Sequence, residues 1–275
     1  MNNLVPMQLS SRNRIIHGDC LDALYGEIHV PQMIFADPPD NIGLKYASSV
    51  DSMPDKEYTI WLAKCIEAFI FSAPIVWLSY NARWTFTVGA IVLDLMKHHD
   101  WLLAKPCVQT FTFGQHNSRD LGNNHRPLLR LMRRGTSLYP DAIRVASWRQ
   151  QHGDKRANPK GRVPGDVFDF PRVTGNSAQR RRWHPTQLHE DLVERCILLS
   201  TQTGERVLDP FSGTGTTLRV CKRVNRCCTL IESSSEYCAH LCHEHDIPVE
   251  ELLTTGAVAQ APGRQPGWPN NHAAQ

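Results

Sequence analysis

Two kinds of apolar pattern alternate along the chain. Short unbroken runs occur at Arg14-Ile15-Ile16-His17, Met33-Ile34-Phe35-Ala36, Pro74-Ile75-Val76-Trp77-Leu78, Trp101-Leu102-Leu103, Arg206-Val207-Leu208 and Cys228-Thr229-Leu230-Ile231. Their length and β-branched content predict buried strands. Between them apolar residues recur at helical spacing over Leu21 to Leu24, Glu57 to Phe71 (through Ile60, Leu62, Ala63, Ile66 and Ile70), Val88 to Met96 and Leu188 to Leu199. The segment Ser233-Ser234-Ser235-Glu236 reads as a capping box opening a last helix that reaches about His245. This alternation predicts an α/β fold, a mostly parallel sheet covered by helices on both faces. From 109 to 182 the periodicity lapses, and only His125 to Met132 reads as a strand within it. The pattern divides the chain into an arm (1–13), a first α/β part (14–108), an irregular insertion (109–182), a second α/β part (183–252) and a proline-bearing tail (253–275) expected to be disordered.

Two of the strands end in turns with chemical content. After Leu208 comes Asp209-Pro210-Phe211-Ser212-Gly213-Thr214-Gly215-Thr216-Thr217. Gly213 and Gly215 permit positive φ and close backbone approach, and the following helix offers N–H groups to a carboxylate or phosphate. A Gly-x-Gly turn alone is unspecific, but a second strand ends in Glu232 about 20 residues on, where an acidic side chain can accept ribose hydroxyls. A phosphate-binding P-loop is disfavoured, because Gly215 is followed by Thr216-Thr217 and no Lys. The second turn follows Ala36 as Asp37-Pro38-Pro39-Asp40. Two prolines cannot continue a sheet, so they hold Asp37 beside the Pro38 carbonyl. Those two acceptors suit both hydrogens of an exocyclic amino group.

The chain has 275 residues, 41% of them hydrophobic, enough for one α/β core with an insertion. No run approaches the ~20 apolar residues of a membrane span, and no signal pattern opens the chain, so a cytoplasmic protein with reduced cysteines is expected. A zinc site among Cys227, Cys228, Cys238, Cys242, His240, His243 and His245 is disfavoured by the missing paired spacing, and no metal is expected. The net charge of +3 conceals segregation: residues 119–182 hold fifteen Lys/Arg against five Asp/Glu, leaving the remainder at −7. Such a surplus, interleaved with Trp148, Phe168, Phe170 and Trp183, fits a polyanion surface, with basic groups on phosphates and aromatics on bases.

These residues resemble the β-class DNA amino-methyltransferases, which use S-adenosylmethionine to methylate N6 of adenine or N4 of cytosine. Asp37-Pro38-Pro39-Asp40 falls on the catalytic tetrapeptide, His184-Pro185-Thr186-Gln187 resembles the segment that opens the cofactor region, and Asp209 to Thr217 is its Gly-rich loop. The order, catalytic motif, basic region, then cofactor loop, is that of the β class. The resemblance implies a Rossmann-like methyltransferase fold with an inserted target-recognition region. It implies Asp19, with Cys20, at the cofactor adenine, Glu232 at its ribose, and the turn of Phe211, Ser212, Gly213, Thr214, Gly215, Thr216 and Thr217 at its methionine portion, beside Pro185, Thr186, Gln187 and Asp209. Double-stranded DNA is the implied partner, contacted by Arg126, Arg133, Arg134, Arg180, Arg181 and Arg182. A homodimer and a restriction endonuclease partner are further implications.

One position departs from the family: the fourth residue of the tetrapeptide is normally aromatic, and here it is Asp40. Tyr46, Trp77 or Tyr80 are candidates to supply the stacking surface. Asp at the first position is more typical of adenine-N6 members, so N6 of adenine is the expected acceptor, with N4 of cytosine or a catalytically impaired binding homologue as alternatives. A cytosine-C5 enzyme is disfavoured because Pro106-Cys107 precedes the cofactor loop. Methylation of RNA or of a protein amide would need no large basic insertion.

Overall fold

The computed structural model describes residues 13–26, 30–47, 49–112 and 117–252. The expected arm, apart from Asn13, and the expected tail at 253–275 lie outside the described residues. Asn13 accepts a hydrogen bond from the Cys228 amide at 2.8 Å.

The elements are β1 (Arg14–His17), α1 (Cys20–Tyr25), β2 (Met33–Ala36), α2 (Asp55–Ser72), β3 (Ile75–Ser79), a 3-10 turn (Ala82–Trp84), α3 (Thr85–His98), β4 (Leu102–Thr110), β5 (His125–Arg133), a second 3-10 turn (Pro140–Ile143), α4 (Trp148–Gln151), β6 (Val167–Asp169), α5 (Glu190–Ser200), β7 (Arg206–Asp209), α6 (Thr216–Arg223), β8 (Cys227–Glu232), α7 (Ser235–His245) and β9 (Val249–Glu251). The strands form one sheet in the order β6-β4-β5-β3-β2-β7-β8-β1-β9, antiparallel only where β5 meets β3 and β4.

Alternate residues of each strand feed opposite layers, as a pleated backbone requires. Ile16, Ile34, Ala36, Val76, Leu78 and Leu208 pack with Leu62, Ile66 and Phe69 of α2 and Val88 and Val92 of α3. Their neighbours Ile15, Met33, Phe35, Ile75, Trp77 and Val207 pack with Leu192, Val193 and Ile197 of α5, Leu218 and Cys221 of α6 and Leu241 of α7. Each fully buried Leu or Ile contributes about 1.5–3 kcal/mol, so the expected two-faced burial is the main source of stability. Ile60, expected on the apolar face of α2, is half exposed; Tyr58 and Cys65 take places on the buried face.

The insertion differs from expectation. β4 runs to Thr110, so the boundary at 109 falls inside a strand, and β5 is threaded between β3 and β4 as an integral part of the sheet. Pro106 interrupts the strand pattern of β4, which concealed its length; it pairs with Leu129 on a stretch exposed at Lys105 and Pro106. β6 and β9 are three-residue edge strands, too short and polar for periodicity to register. The last helix starts one residue later than the capping box implied: Ser234, rather than Ser233, is the cap, accepting from the Tyr237 amide.

Strand order reverses direction between β2 and β7. From β2 the chain crosses through α2 to β3 on one side, and from β7 it crosses through α6 to β8 on the other, over opposite faces. The connections therefore diverge and leave a crevice at the carboxyl ends of β2 and β7, the place where open α/β sheets bind ligands.

Candidate active site

Both chemically marked turns open into this crevice, a cleft of about 740 Å³. On one side β2 delivers Asp37-Pro38-Pro39-Asp40. Prolines at 38 and 39 cannot donate to a ladder, and the freed backbone is clamped from outside the sheet. Tyr58 on α2 donates its hydroxyl to the Pro39 carbonyl at 2.6 Å, and Trp84 Nε1 donates to the Asp40 carbonyl at 2.8 Å. Asn41 turns the chain with φ +54, a conformation Asn tolerates better than most residues. Its side chain exchanges two hydrogen bonds with the Met53 backbone, at 2.8 and 2.7 Å.

The carboxylates of Asp37 and Asp40 converge on Arg126 from β5. Its Nη2 donates to Asp37 Oδ1 at 2.7 Å and to Asp40 Oδ1 at 2.9 Å, Nη1 donates to Asp40 Oδ2 at 2.9 Å, and Nε donates to Ser79 Oγ at 2.7 Å. Burial raises the Asp37 carboxyl above the ordinary range, with Arg126 pulling it down and Asp40 pushing it further up. Burial works against the charge on Arg126, but Asp37 and Asp40 outweigh it and hold the guanidinium protonated.

Across the cleft the Gly-rich loop is tied to the sheet ends. Asp209 accepts from the Phe211 amide at 3.0 Å and the Thr217 hydroxyl at 2.5 Å, and burial pushes its carboxyl up to about 7. Glu232 at the end of β8 accepts from the Gly213 amide at 2.9 Å, Ser212 Oγ at 3.4 Å and the Ser234 amide at 3.0 Å; burial raises its carboxyl too. Gly213 lies at φ +44, where an added Cβ would stand 3.0 Å from His184 Nε2. That imidazole donates from Nδ1 to the Thr186 carbonyl at 2.6 Å, and burial lowers it to about 4, leaving it neutral. Gly215, at φ +72, caps α6.

The structure thus brings Asp19, Cys20, Asp37, Pro38, Pro39, Asp40, Pro185, Thr186, Gln187, Asp209, Phe211, Ser212, Gly213, Thr214, Thr216, Thr217 and Glu232 to one cleft. Gly215 stands behind it, its α-carbon turned towards Leu241. The basic residues are dispersed. Arg126, expected on phosphates, is inside the cleft, only 18% exposed and bound to carboxylates. Arg133 and Arg134 occupy the opposite end of the sheet: the Arg133 amide bonds Pro74 at the start of β3, its guanidinium lies 4.3 Å over Trp101, and Arg134 reaches the Asp100 carbonyl. Arg133 closes the nine-residue strand that begins at the cleft with His125, eight steps of about 3.3 Å away. Arg181 pairs with Glu244 at 2.6 Å and Arg180 donates to the Pro185 carbonyl, while Arg182 is exposed. Of the aromatic candidates, Tyr46 lines the cleft. Trp77 is a core residue bonded to Ser200 Oγ at 2.8 Å, and Tyr80 is 7% exposed in the α2/α3 layer.

Sequence reasoning passed over Tyr58, Ser79, Trp84 and the cleft position of Arg126. One signal for the last was present: a second carboxylate in a cleft needs a cation, and Arg126 stands near the start of the one strand expected in the basic region. The stretch 109–182 also brings Gln109, Phe111, Asn123, His125 and Arg172 to the cleft wall. Among the described residues no helix is long and apolar enough to cross a membrane.

A sequence profile of the DNA methylases matches residues 32–242. The chain is 31% identical over 242 residues to DNA adenine methyltransferase YhdJ of Escherichia coli (strain K12), covering 81% of this chain and 79% of that protein. It is 29% identical over 232 residues to type II methyltransferase M.HpaI of Haemophilus parainfluenzae, covering 82% and 71%. Among solved structures it is similar to the PvuII DNA methyltransferase (cytosine-N4-specific), with TM-score 0.63, 14% identity and coverage of 83% and 84%. It is also similar to the M1.HpyAVI–SAM complex, with TM-score 0.57, 18% identity and coverage of 85% and 99%.

Proposed function

The chain belongs to the DNA methylase family, S-adenosylmethionine-dependent enzymes that methylate exocyclic amino groups, and from that premise we propose that it acts on N6 of adenine in duplex DNA. The observation that carries this reading is the pairing, across the β2/β7 crevice, of an Asp-Pro-Pro turn with a Gly-rich loop. Aspartate at the first position and the adenine specificity in the name of the Escherichia coli relative support adenine.

The residues present fit the cofactor. The cleft has the volume of small-molecule sites, and the loop ends at the N-terminus of α6, where a carboxylate is favoured. Asp19, Glu232, the turn from Phe211 to Thr217 and Pro185 to Gln187 would hold it. Its chemical contribution is an activated methyl group on a sulfonium sulfur.

The target amino group is conjugated to its ring, so its lone pair is a poor nucleophile. Asp37 and the Pro38 carbonyl accept its two hydrogens, draw the nitrogen out of conjugation and aim it at the methyl. With the methyl supplied by the bound cofactor, Asp37, whose carboxyl burial raises, would take up the one proton that the methylated nitrogen gives up. Positioning and electrostatics carry the rate, without a covalent enzyme intermediate. Since the amino group is unreachable within a stacked duplex, the base is flipped into the cleft. There Tyr46 and the insertion residues Phe111, His125 and Arg172 surround it, and Arg182 faces the phosphates. The setting is the cytoplasm, where duplex DNA and cofactor meet; the type II names of relatives support an endonuclease partner of the same specificity, and a second copy of the chain would extend the DNA footprint.

The test is incubation with S-adenosylmethionine and unmethylated duplex DNA, then nucleoside digestion and mass spectrometry. N6-methyladenine is expected. N4-methylcytosine alone would overturn the choice of base, and neither product with the cofactor demonstrably bound would overturn the reaction.

A further inference from the structure

Asp40 places a charge where a flipped base is expected to meet an aromatic ring, and the structure shows what that charge touches. Resting on the function proposed above, we propose that Asp40 and Arg126 form a coupled positioning pair: Asp40 takes the two-pronged side of the guanidinium, so that Arg126 reaches Asp37 with a single N–H and orients its carboxylate toward the target amino group without neutralising it.

The distribution of donors carries the inference. Arg126 gives Asp40 two N–H groups, from Nη1 and Nη2 at 2.9 Å each, and gives Asp37 one, from Nη2 to Oδ1 at 2.7 Å. Nε is committed to Ser79 Oγ, which fixes the plane of the guanidinium from β3. Asp40 is anchored independently of Arg126, through Trp84 Nε1 on its carbonyl and Asn81 Nδ2 at 3.5 Å from Oδ2. Asp37 remains 27% exposed to the cleft, against 12% for Asp40. A lone Arg beside a lone Asp favours the bidentate fork, which would occupy both oxygens of Asp37. A second carboxylate in competition prevents that. Removing the guanidinium instead would leave two carboxylates sharing a cleft, one of which must then hold a proton. The two members of the pair therefore act on Asp37 in opposite directions, which a residue needed only for folding would not do. Arg126 is supplied by β5, within the basic insertion, so the insertion contributes to the chemistry directly.

The groups facing Asp37 are Asp40 on its own turn, Arg126 on β5, the Ser79 hydroxyl on β3, which pulls its carboxyl down, Tyr46, Tyr58 on α2 and Asp209 on β7. Burial raises both tyrosines above their usual range, so they stay neutral, and Asp209 is unchanged in every variant below. The experiment is a carboxyl ¹³C NMR titration of Asp37 in full-length protein labelled at aspartate, the resonance assigned by its loss in Asp37→Asn. Asp40→Asn should lower the Asp37 midpoint and Arg126→Gln should raise it, each by about one unit or more, with Asp40→Glu returning it toward the wild-type value. Shifts of the same sign, or none, would overturn the proposal. Where Arg126→Gln fails to fold, Arg126→Lys keeps the charge but loses the fork, and a midpoint unmoved from wild type would count against the pair. In single-turnover transfer, Asp40→Asn should cost about tenfold or more, and Asp40→Tyr combined with Arg126→Leu should cost less than the product of the single losses. Multiplicative losses would also overturn it. The titration needs no transfer, so a protein inert toward DNA would sink the function proposed above, while opposite midpoint shifts would still establish the pair.

Discussion

The two turns that face each other across the cleft are held by opposite means. The Gly-rich loop is shaped by backbone: Gly213 and Gly215 at positive φ, amides tied to Asp209 and Glu232, a tight fit for a Cβ at Gly213 and a clash for one at Gly215. The Asp37–Asp40 turn is shaped by side chains arriving from elsewhere, Tyr58 from α2, Trp84 from the 3-10 turn and Arg126 from β5. A loop that must wrap a ligand closely uses small residues and its own amides. One that must present charge to a reacting atom needs partners to orient that charge.

Each side of this contrast can be broken separately. The largest effect is expected from Asp37→Ala, which should reduce transfer by ~10²–10³-fold or more while leaving cofactor affinity nearly intact by calorimetry. Full transfer in this variant would refute the role given to Asp37. Gly215→Ala should do the reverse, damaging structure first. Its Cβ would fall 2.5 Å from Leu241 Cδ2 at φ +72, a cost of about 2–4 kcal/mol read as a fall in the denaturation midpoint together with weaker cofactor binding.

Asp209→Asn sharpens the comparison through pH. Burial holds the Asp209 carboxyl near 7 against an ordinary 3.8, so between those values the folded protein binds a proton that the unfolded chain releases. Stability therefore falls as pH rises through this window, by at most ~1.4 kcal/mol per unit. Asparagine should flatten that slope and stabilise the protein more at pH 8 than at pH 5; an unchanged slope in chemical denaturation would show that Asp209 is not its source. Smallest is Arg182→Glu, an exposed residue outside both turns. It should weaken DNA binding uniformly across sequences and reduce the salt slope of log K by about 0.9, leaving transfer at saturating DNA unaltered.

Both turns, the strands that deliver them and the two-faced burial were legible in the sequence because each depends on neighbours a few residues apart. Alternation assigns Ile15 and Ile16 to opposite layers, prolines stop β2, and glycines mark the loop after β7. The threading of β5 into the sheet and the removal of Arg133 and Arg134 to the far end were not. No local spacing encodes which strand lies beside which. The same holds for the carboxylates. The chain announces two aspartates beside two prolines, and it announces a basic segment, but Arg126 and Asp40 are 86 residues apart. Only closure of the sheet places a cation between Asp37 and Asp40, because desolvation in the cleft makes an unpaired charge there too costly to leave without a partner.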